Sequence, residues 1–246
     1  MYDPVQDGIE KNVISVSYKE EKPPNIFSKL VHSFWELKTD IKLPDDFCLH
    51  ALPDACVNIL FNQNDTRIAG VTALRTTYEV LNLGKEFHYV GIQFFPGVWQ
   101  GKQNETTDSF VGTPYLGDLP LIDTSKKLTQ LDFPSKQSVL SELVSQLIER
   151  NLVAVNLVTE KILSNLDVIH TVADMAAITQ ISSRQLQRTL KASTGFSPHD
   201  FLKVLRLQQS FKQHYLESYA DQSHFIHSFR KITGYTPAEY YRKFDV

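Results

Sequence analysis

The end of this chain says the same thing twice. Residues 171–198 read TVADMAAITQISSRQLQRTLKASTGFSP, and residues 219–237 read YADQSHFIHSFRKITGYTP. Each stretch runs from a short cap into an apolar-basic helix. Each leaves through Thr-Gly-aromatic-Ser/Thr-Pro: Thr194-Gly195-Phe196-Ser197-Pro198, then Thr233-Gly234-Tyr235-Thr236-Pro237. Basic residues precede both exits, Arg188 with Lys191 and Arg230 with Lys231. An internal echo of this kind means two copies of one small helical unit. A short helix pair whose second member carries Arg and Gln on its open face is the physical outline of a DNA reader.

The first copy has the clearer local signals. Thr171 with Asp174 predicts a capping box, after which Val172, Met175 and Ala176 face inward. Ser182 with Gln185 repeats that logic. Thr179-Gln180-Ile181 lies between as a short turn, which is helix-turn-helix spacing. Leu186 and Leu190 then pack back on the first helix. Arg184, Gln187 and Arg188 fall on the other face, free to enter a major groove.

At these residues the chain resembles the AraC/XylS family of bacterial transcription regulators. Ala176, Ser182, Leu186, Arg188, Lys191, Thr194-Gly195 and Pro198 are similar to the family's first helix-turn-helix. Asp221-Gln222-Ser223-His224-Phe225, Phe229-Arg230, Thr233-Gly234 and Pro237 resemble its second. The likeness covers about residues 156–244. It implies a recognition helix over Ser183–Ala192, with Arg184, Gln187 and Arg188 reading bases. In the second unit it implies Gln222, Ser223, Ile226 and His227 at the equivalent positions. Ser182, Lys191, Arg230 and Lys231 are then the phosphate contacts, and double-stranded DNA is the partner. His227 stands where the family often has Arg, so it brings less charge and shorter reach. Gln180 stands where the turn often has Gly.

One departure from the family is large. Residues Arg206–Ser218 run straight into Tyr219, where the family has a full support helix before its second recognition helix. About a dozen residues are missing, roughly three turns of helix. Phe225 and Phe229 must then find other partners. The second reader is either disabled or rebuilt from the helix before it.

The front of the chain reads differently. Short apolar runs recur at Cys56–Phe61, Arg67–Val71, Thr77–Leu83 and Phe87–Phe95, separated by Asn62-Gln63-Asn64-Asp65 and Gly84-Lys85. Strands of this length with polar turns predict a compact β-sandwich or small barrel. This half more faintly resembles the cupin-like sensory domains of some family members, through Pro53-Asp54 and Gly91–Gly97. The expected fold is α+β with two domains. Residues 1–134 form a β-rich sensor or dimerisation domain, 135–155 a linker helix, and 156–246 the helix-turn-helix domain. Ser135 is the expected cap of the 135–155 helix. That helix either links the domains, serves a dimer interface, or packs on its own domain.

Charge follows the same division. From residue 180 onward there are ten cations against five anions, while the preceding residues hold 15 cations and 23 anions. An acidic front and a basic tail suit a sensor joined to a polyanion-binding module. Two cysteines, Cys48 and Cys56, are too few for a disulfide scaffold, and no apolar run is long enough to span a bilayer. A cytoplasmic protein without membrane association is expected. His199, His214, His224 and His227 lack HxxxH spacing and companion cysteines, so no metal is expected; Cys48, His50 and Cys56 read as core or loop residues. No catalytic motif emerges, so neither cofactor nor enzymatic activity is expected. Trp35, Trp99, Phe94 and Phe95 either line a small pocket or fill the sandwich core. The expected function is sequence-specific transcription regulation with a small-molecule effector and a homodimer among its partners. The alternative is a DNA-binding-impaired relative that works through protein contacts or dimerisation.

Overall fold

A computed structural model describes residues 2–4, 8–101, 106–107, 112–212 and 222–244. Eight strands come first: β1 (Val16–Glu21), β2 (Val31–Thr39), β3 (Phe47–Ala51), β4 (Asn58–Asn62), β5 (Ala69–Thr72), β6 (Glu79–Gly84), β7 (His88–Phe94) and β8 (Thr106–Thr107). Six form one sheet in the order β1-β2-β7-β4-β5-β8, and β3 pairs with β6 in a second. Period-two alternation explains the layering. Phe34, Ile59, Phe61, Val71, Val90, Ile92 and Phe94 point to one face of the large sheet. Trp35, Leu37, Leu60 and Tyr89 point to the other, where Phe47, Leu49, Leu81 and Leu83 of the small sheet cover them.

Two helices cover the first face. They are α1 (Leu121–Leu128) and α2 (Phe133–Glu149), which bury Leu121, Leu128, Leu140, Leu143, Val144 and Leu147 against the strands. Of the three readings open for the helix near 135–155, packing on its own sheet is the arrangement observed. Its cap is Asp132, whose carboxylate accepts the Ser135 N–H at 3.0 Å, rather than Ser135 itself. Pro134 sits in the first turn, where a missing N–H costs nothing. α1 lies where only strands and turns were expected.

A buried ion pair fixes α2 to the sheet. Lys136 Nζ donates to Glu36 Oε1 at 2.7 Å, and His88 Nε2 lies 2.9 Å from the same oxygen. Burial pushes the Glu36 carboxyl up, but His88 and Lys136 together pull it down to about 2. After α2 the chain stays tied to the sheet layer. Gln100 N–H donates to Leu152 O at 2.8 Å and Ala154 N–H to Val98 O at 3.1 Å.

The rest is helical: α3 (Leu157–Ser164), α4 (Val172–Thr179), α5 (Ser183–Thr194), α6 (Pro198–Lys212), α7 (Gln222–Thr233) and α8 (Pro237–Lys243). Local chemistry sets most boundaries. Asn156 caps α3, and Thr171 with Asp174 forms a full capping box on α4. Ser182 caps α5, and Thr236 with Glu239 boxes α8. Ile162, Leu163, Met175, Leu186, Leu190, Phe196, Phe201 and Leu205 make the core of the first helical unit. Tyr2, Ala55 and Cys56 join that core from the β-region.

Candidate nucleic-acid interface

The α4–α5 pair is a helix-turn-helix. The turn residue Gln180 takes φ 59° and ψ 35°, the left-handed conformation that glycine adopts most cheaply. The Ser182 hydroxyl accepts the Gln185 N–H at 3.2 Å and starts α5. Leu186 and Leu190 are fully buried, which fixes the rotation of the helix. Arg184, Gln187 and Arg188 therefore stand exposed on the far side. Lys191 is also exposed, and its Nζ donates to Gly195 O at 2.7 Å, across the helix end. Arg188 also borders a shallow cleft with Gln100, Thr189, Ala192 and Ser193. One flank of the reading helix thus looks toward the β-region.

The corresponding helix of the second copy, α7, is built by the same rule. Phe225, Phe229 and Ile232 are buried, while Ser223, His227, Arg230 and Lys231 are exposed. Ile226 is half-exposed beside them. The side chain of Gln222 lies outside the described residues, as does the connection 213–221 where the missing support helix was expected.

Residues with no signal in the motif pattern complete this unit. Phe211 of α6 packs edge-on to Phe229, with ring centres 5.6 Å apart, and Tyr240 of α8 does so at 5.8 Å. His50 of β3 lies in a nest of four rings. It stacks on Tyr78 at 4.7 Å and Phe244 at 4.9 Å, with Tyr235 at 5.4 Å and Tyr240 at 5.6 Å. Burial lowers the His50 pKa; the Thr233 backbone raises it less strongly, and Lys243 lowers it further. These contacts are remote in sequence, so no spacing announces them.

A cavity of 140 Å³ lies between the two sheets, lined by Trp35, Leu37, Leu49, Leu60, Leu81 and Tyr89 among others. Trp35 is thus a cavity residue, whereas Phe94 and Trp99 belong to the helix-covered core. Asp54 also lines the cavity, and burial pushes its carboxyl up to about 6. This happens despite hydrogen bonds from the Cys56 N–H at 2.9 Å and the Gln93 amide at 2.7 Å. Cys48 is exposed and Cys56 buried, and both are free thiols. Among the described residues, no cluster of His, Cys, Asp and Glu has the makings of a metal site. No helix among them is long and apolar enough to cross a membrane.

Comparison with known families divides the chain as the geometry does. Residues 175–243 match a family described as a helix-turn-helix domain, and residues 19–111 match a domain of unknown function (DUF6597). Two solved structures of ToxT from Vibrio cholerae are similar over 92% of this chain and 96% of theirs, at 11% and 12% identity and a TM-score of 0.41 for each. No curated protein matches. Residues 175–243 are a helix-turn-helix domain. The helix-turn-helix match spans both copies of the repeated unit, α4–α5 and α7.

Proposed function

We propose that this chain is an AraC-type transcription regulator, that it acts on double-stranded DNA in the cytoplasm, and that α5 carries most of its base readout. The observation behind this reading is the open face of α5. Arg184, Gln187 and Arg188 are exposed together on a helix whose opposite face is locked by buried Leu186 and Leu190. Arginine can pair two donors with a guanine edge, and Gln can pair with adenine. Ser182, Lys191, Arg230 and Lys231 set the register on phosphates, which carry affinity rather than sequence. α7 contributes Gln222, Ser223 and His227. The cavity between the sheets is the place we assign to a small-molecule effector, and its lining favours an apolar one. The role is regulatory rather than enzymatic.

Arg188→Ala tests the assignment. A lost bidentate contact should weaken specific binding by about 1–3 kcal/mol and leave binding to random duplex less changed. Equal loss on both duplexes would remove Arg188 from base readout.

A second reading rests on the sequence between the two copies, where Arg206–Ser218 runs straight into Tyr219 and the family pattern has about a dozen residues more. On that reading the second unit is impaired, and the protein works through its β-region or as a homodimer. A footprint separates the two, since an impaired second unit protects one groove segment per chain rather than two.

A further inference from the structure

We infer that the β-region braces the second helical unit, and that His50 and Tyr78 are positioning residues for α7. This rests on reading α7 as a DNA-facing helix.

The first unit shows what a brace must do. α5 is held along its buried face by α4, which arrives directly before it in the chain. Its C-terminal end is closed from within, by the Gly195 N–H on Lys191 O at 3.1 Å and by Lys191 Nζ on Gly195 O. Rotation and tilt are thus set chiefly by residues of the same unit, although Tyr2, Ala55 and Cys56 of the β-region also reach its core.

Among the described residues, α7 has no directly preceding helix of that kind. Its buried face instead meets Leu207 and Phe211 of α6, Tyr240 and Phe244 of α8, and Leu52 from the connection after β3. The end of α7 is closed from outside the unit. The Tyr78 N–H donates to Ile232 O at 2.8 Å, satisfying one of the carbonyls that a helix C-terminus leaves open. The Tyr78 ring then lies over Gly234. A Cβ added there would meet Tyr78 Cε1 at 2.9 Å. His50 is 3% exposed and wedges between Tyr78 on one side and Phe244 on the other.

α8 is clamped as well. Lys11 N–H donates to Lys243 O at 3.0 Å and Lys11 Nζ to Tyr241 O at 2.8 Å. Glu10 pairs with Lys243 at 3.1 Å. Gln208 of α6 reaches Pro53 O at 2.9 Å from a buried position. Among the described residues, the elements that pack on α7 are therefore themselves tied to the β-region. Base contacts need alignment within a few tenths of an ångström near 3 Å. A helix held this way can meet that demand only while the β-region stays in place. The same strand that carries His50 places Leu49 and Ala51 on the cavity. The wall of the cavity and the brace of α7 are one element.

The test uses the full chain. Duplexes are selected from a randomised library by wild type, His50→Ala, His50→Phe and Tyr78→Leu. Wild type should enrich two sequence blocks about one helical turn apart. His50→Ala should keep the α5 block and lose the other, with roughly tenfold weaker binding to the wild-type consensus. His50→Phe keeps a flat ring in the nest and should restore the second block. A merely destabilised protein has fewer active molecules but still selects both blocks, so the lost block reports positioning. If His50→Ala loses its cooperative melt, Tyr78→Leu decides, because it keeps the N–H to Ile232 O and removes only the ring. Both blocks retained by the folded variant would overturn the inference. A single block from wild type would overturn it too, in favour of an impaired second unit. No enrichment by wild type would instead overturn the DNA-reading assignment itself.

Discussion

Leu186 and Leu190 hold α5 against α4, a helix of the same unit, whereas Phe225 and Phe229 hold α7 against Phe211, Tyr240 and the β-region residue Leu52. The two units keep the same Thr-Gly-aromatic exit and the same exposed face. They differ in where the restraint comes from. A unit that carries its own brace has a fixed geometry whatever its neighbours do. A unit braced from another region inherits that region's state. On the proposed reading the first helix pair, braced mainly by its own α4, is the less conditional half, and the second is the more conditional one.

The largest expected effect breaks the second unit from inside. Phe229 is 1% exposed and touches Phe225, Phe211 and Tyr240. Phe229→Ala should cost about 3–5 kcal/mol. Both tryptophans, Trp35 and Trp99, belong to the β-region, so their fluorescence follows that region alone. With α7 tied to the β-region, the denaturant midpoints from fluorescence and from helix circular dichroism should fall together. A shift in the helix signal without one in fluorescence would separate α7 from the β-region and remove the comparison's basis.

A matched pair of glycines gives a smaller and cleaner contrast. Gly195 has φ +72° with open space where a Cβ would go; Gly234 has φ +80° with the Tyr78 ring at 2.9 Å. Gly195→Ala should cost about 1–2 kcal/mol, the strain of a left-handed L-residue. Gly234→Ala should cost that plus about 1 kcal/mol or more for displacing the ring. The excess should vanish in a Tyr78→Ala background, a double-mutant cycle that isolates the contact. Equal costs at the two glycines in wild type would mean that Tyr78 moves freely and braces nothing.

The sequence was most readable where chemistry is local. Asn156, Thr171 with Asp174, and Ser182 sit at helix starts because each needs only partners two or three residues away. The runs at 56–61, 67–71, 77–83 and 87–95 became β4 to β7 because alternation is a local signal too. α2 begins ahead of the expected cap, since Asp132 competes with Ser135 and proline is tolerated in a first turn. α1 was missed because Asp123, Thr124, Ser125 and two lysines mask a short helix whose apolar residues are few. The open face of α5 was visible from the spacing of Leu186 and Leu190. The setting of α7 was not. The shortfall of about a dozen residues against the family pattern could be counted, and with it the need of Phe225 and Phe229 for partners, which the structure supplies in Phe211 and Tyr240. Which residues would answer that need is a matter of packing between His50, Tyr78 and Phe244, and no periodicity records it.

Acid gives the smallest expected effect and probes the brace through its charge. His50 is held uncharged chiefly by burial, with the Thr233 backbone pulling its pKa up and Lys243 pushing it down. The groups around it are Tyr78, Tyr235 and Tyr240, the Lys243 ammonium, and Glu10 paired to that ammonium at 3.1 Å. A histidine whose folded pKa lies below its unfolded value of about 6.5 binds its proton first in the unfolded chain. Its contribution is complete above that value and is lost as pH falls toward the folded pKa. His32, buried and also lowered, acts in the same direction. Asp54 acts in the opposite one, because its raised carboxyl favours the folded state as pH falls from about 6. The net slope of the whole protein therefore says little, and a difference is needed. Denaturant midpoints at pH 8 and pH 5.5 should fall more for wild type than for His50→Phe, which keeps the ring and removes the proton site. The same acid step should weaken the footprint of α7 before that of α5. Identical acid sensitivity in the two proteins would show that the nest opens to water or relaxes around a charged ring, and that the second unit is not conditional on it.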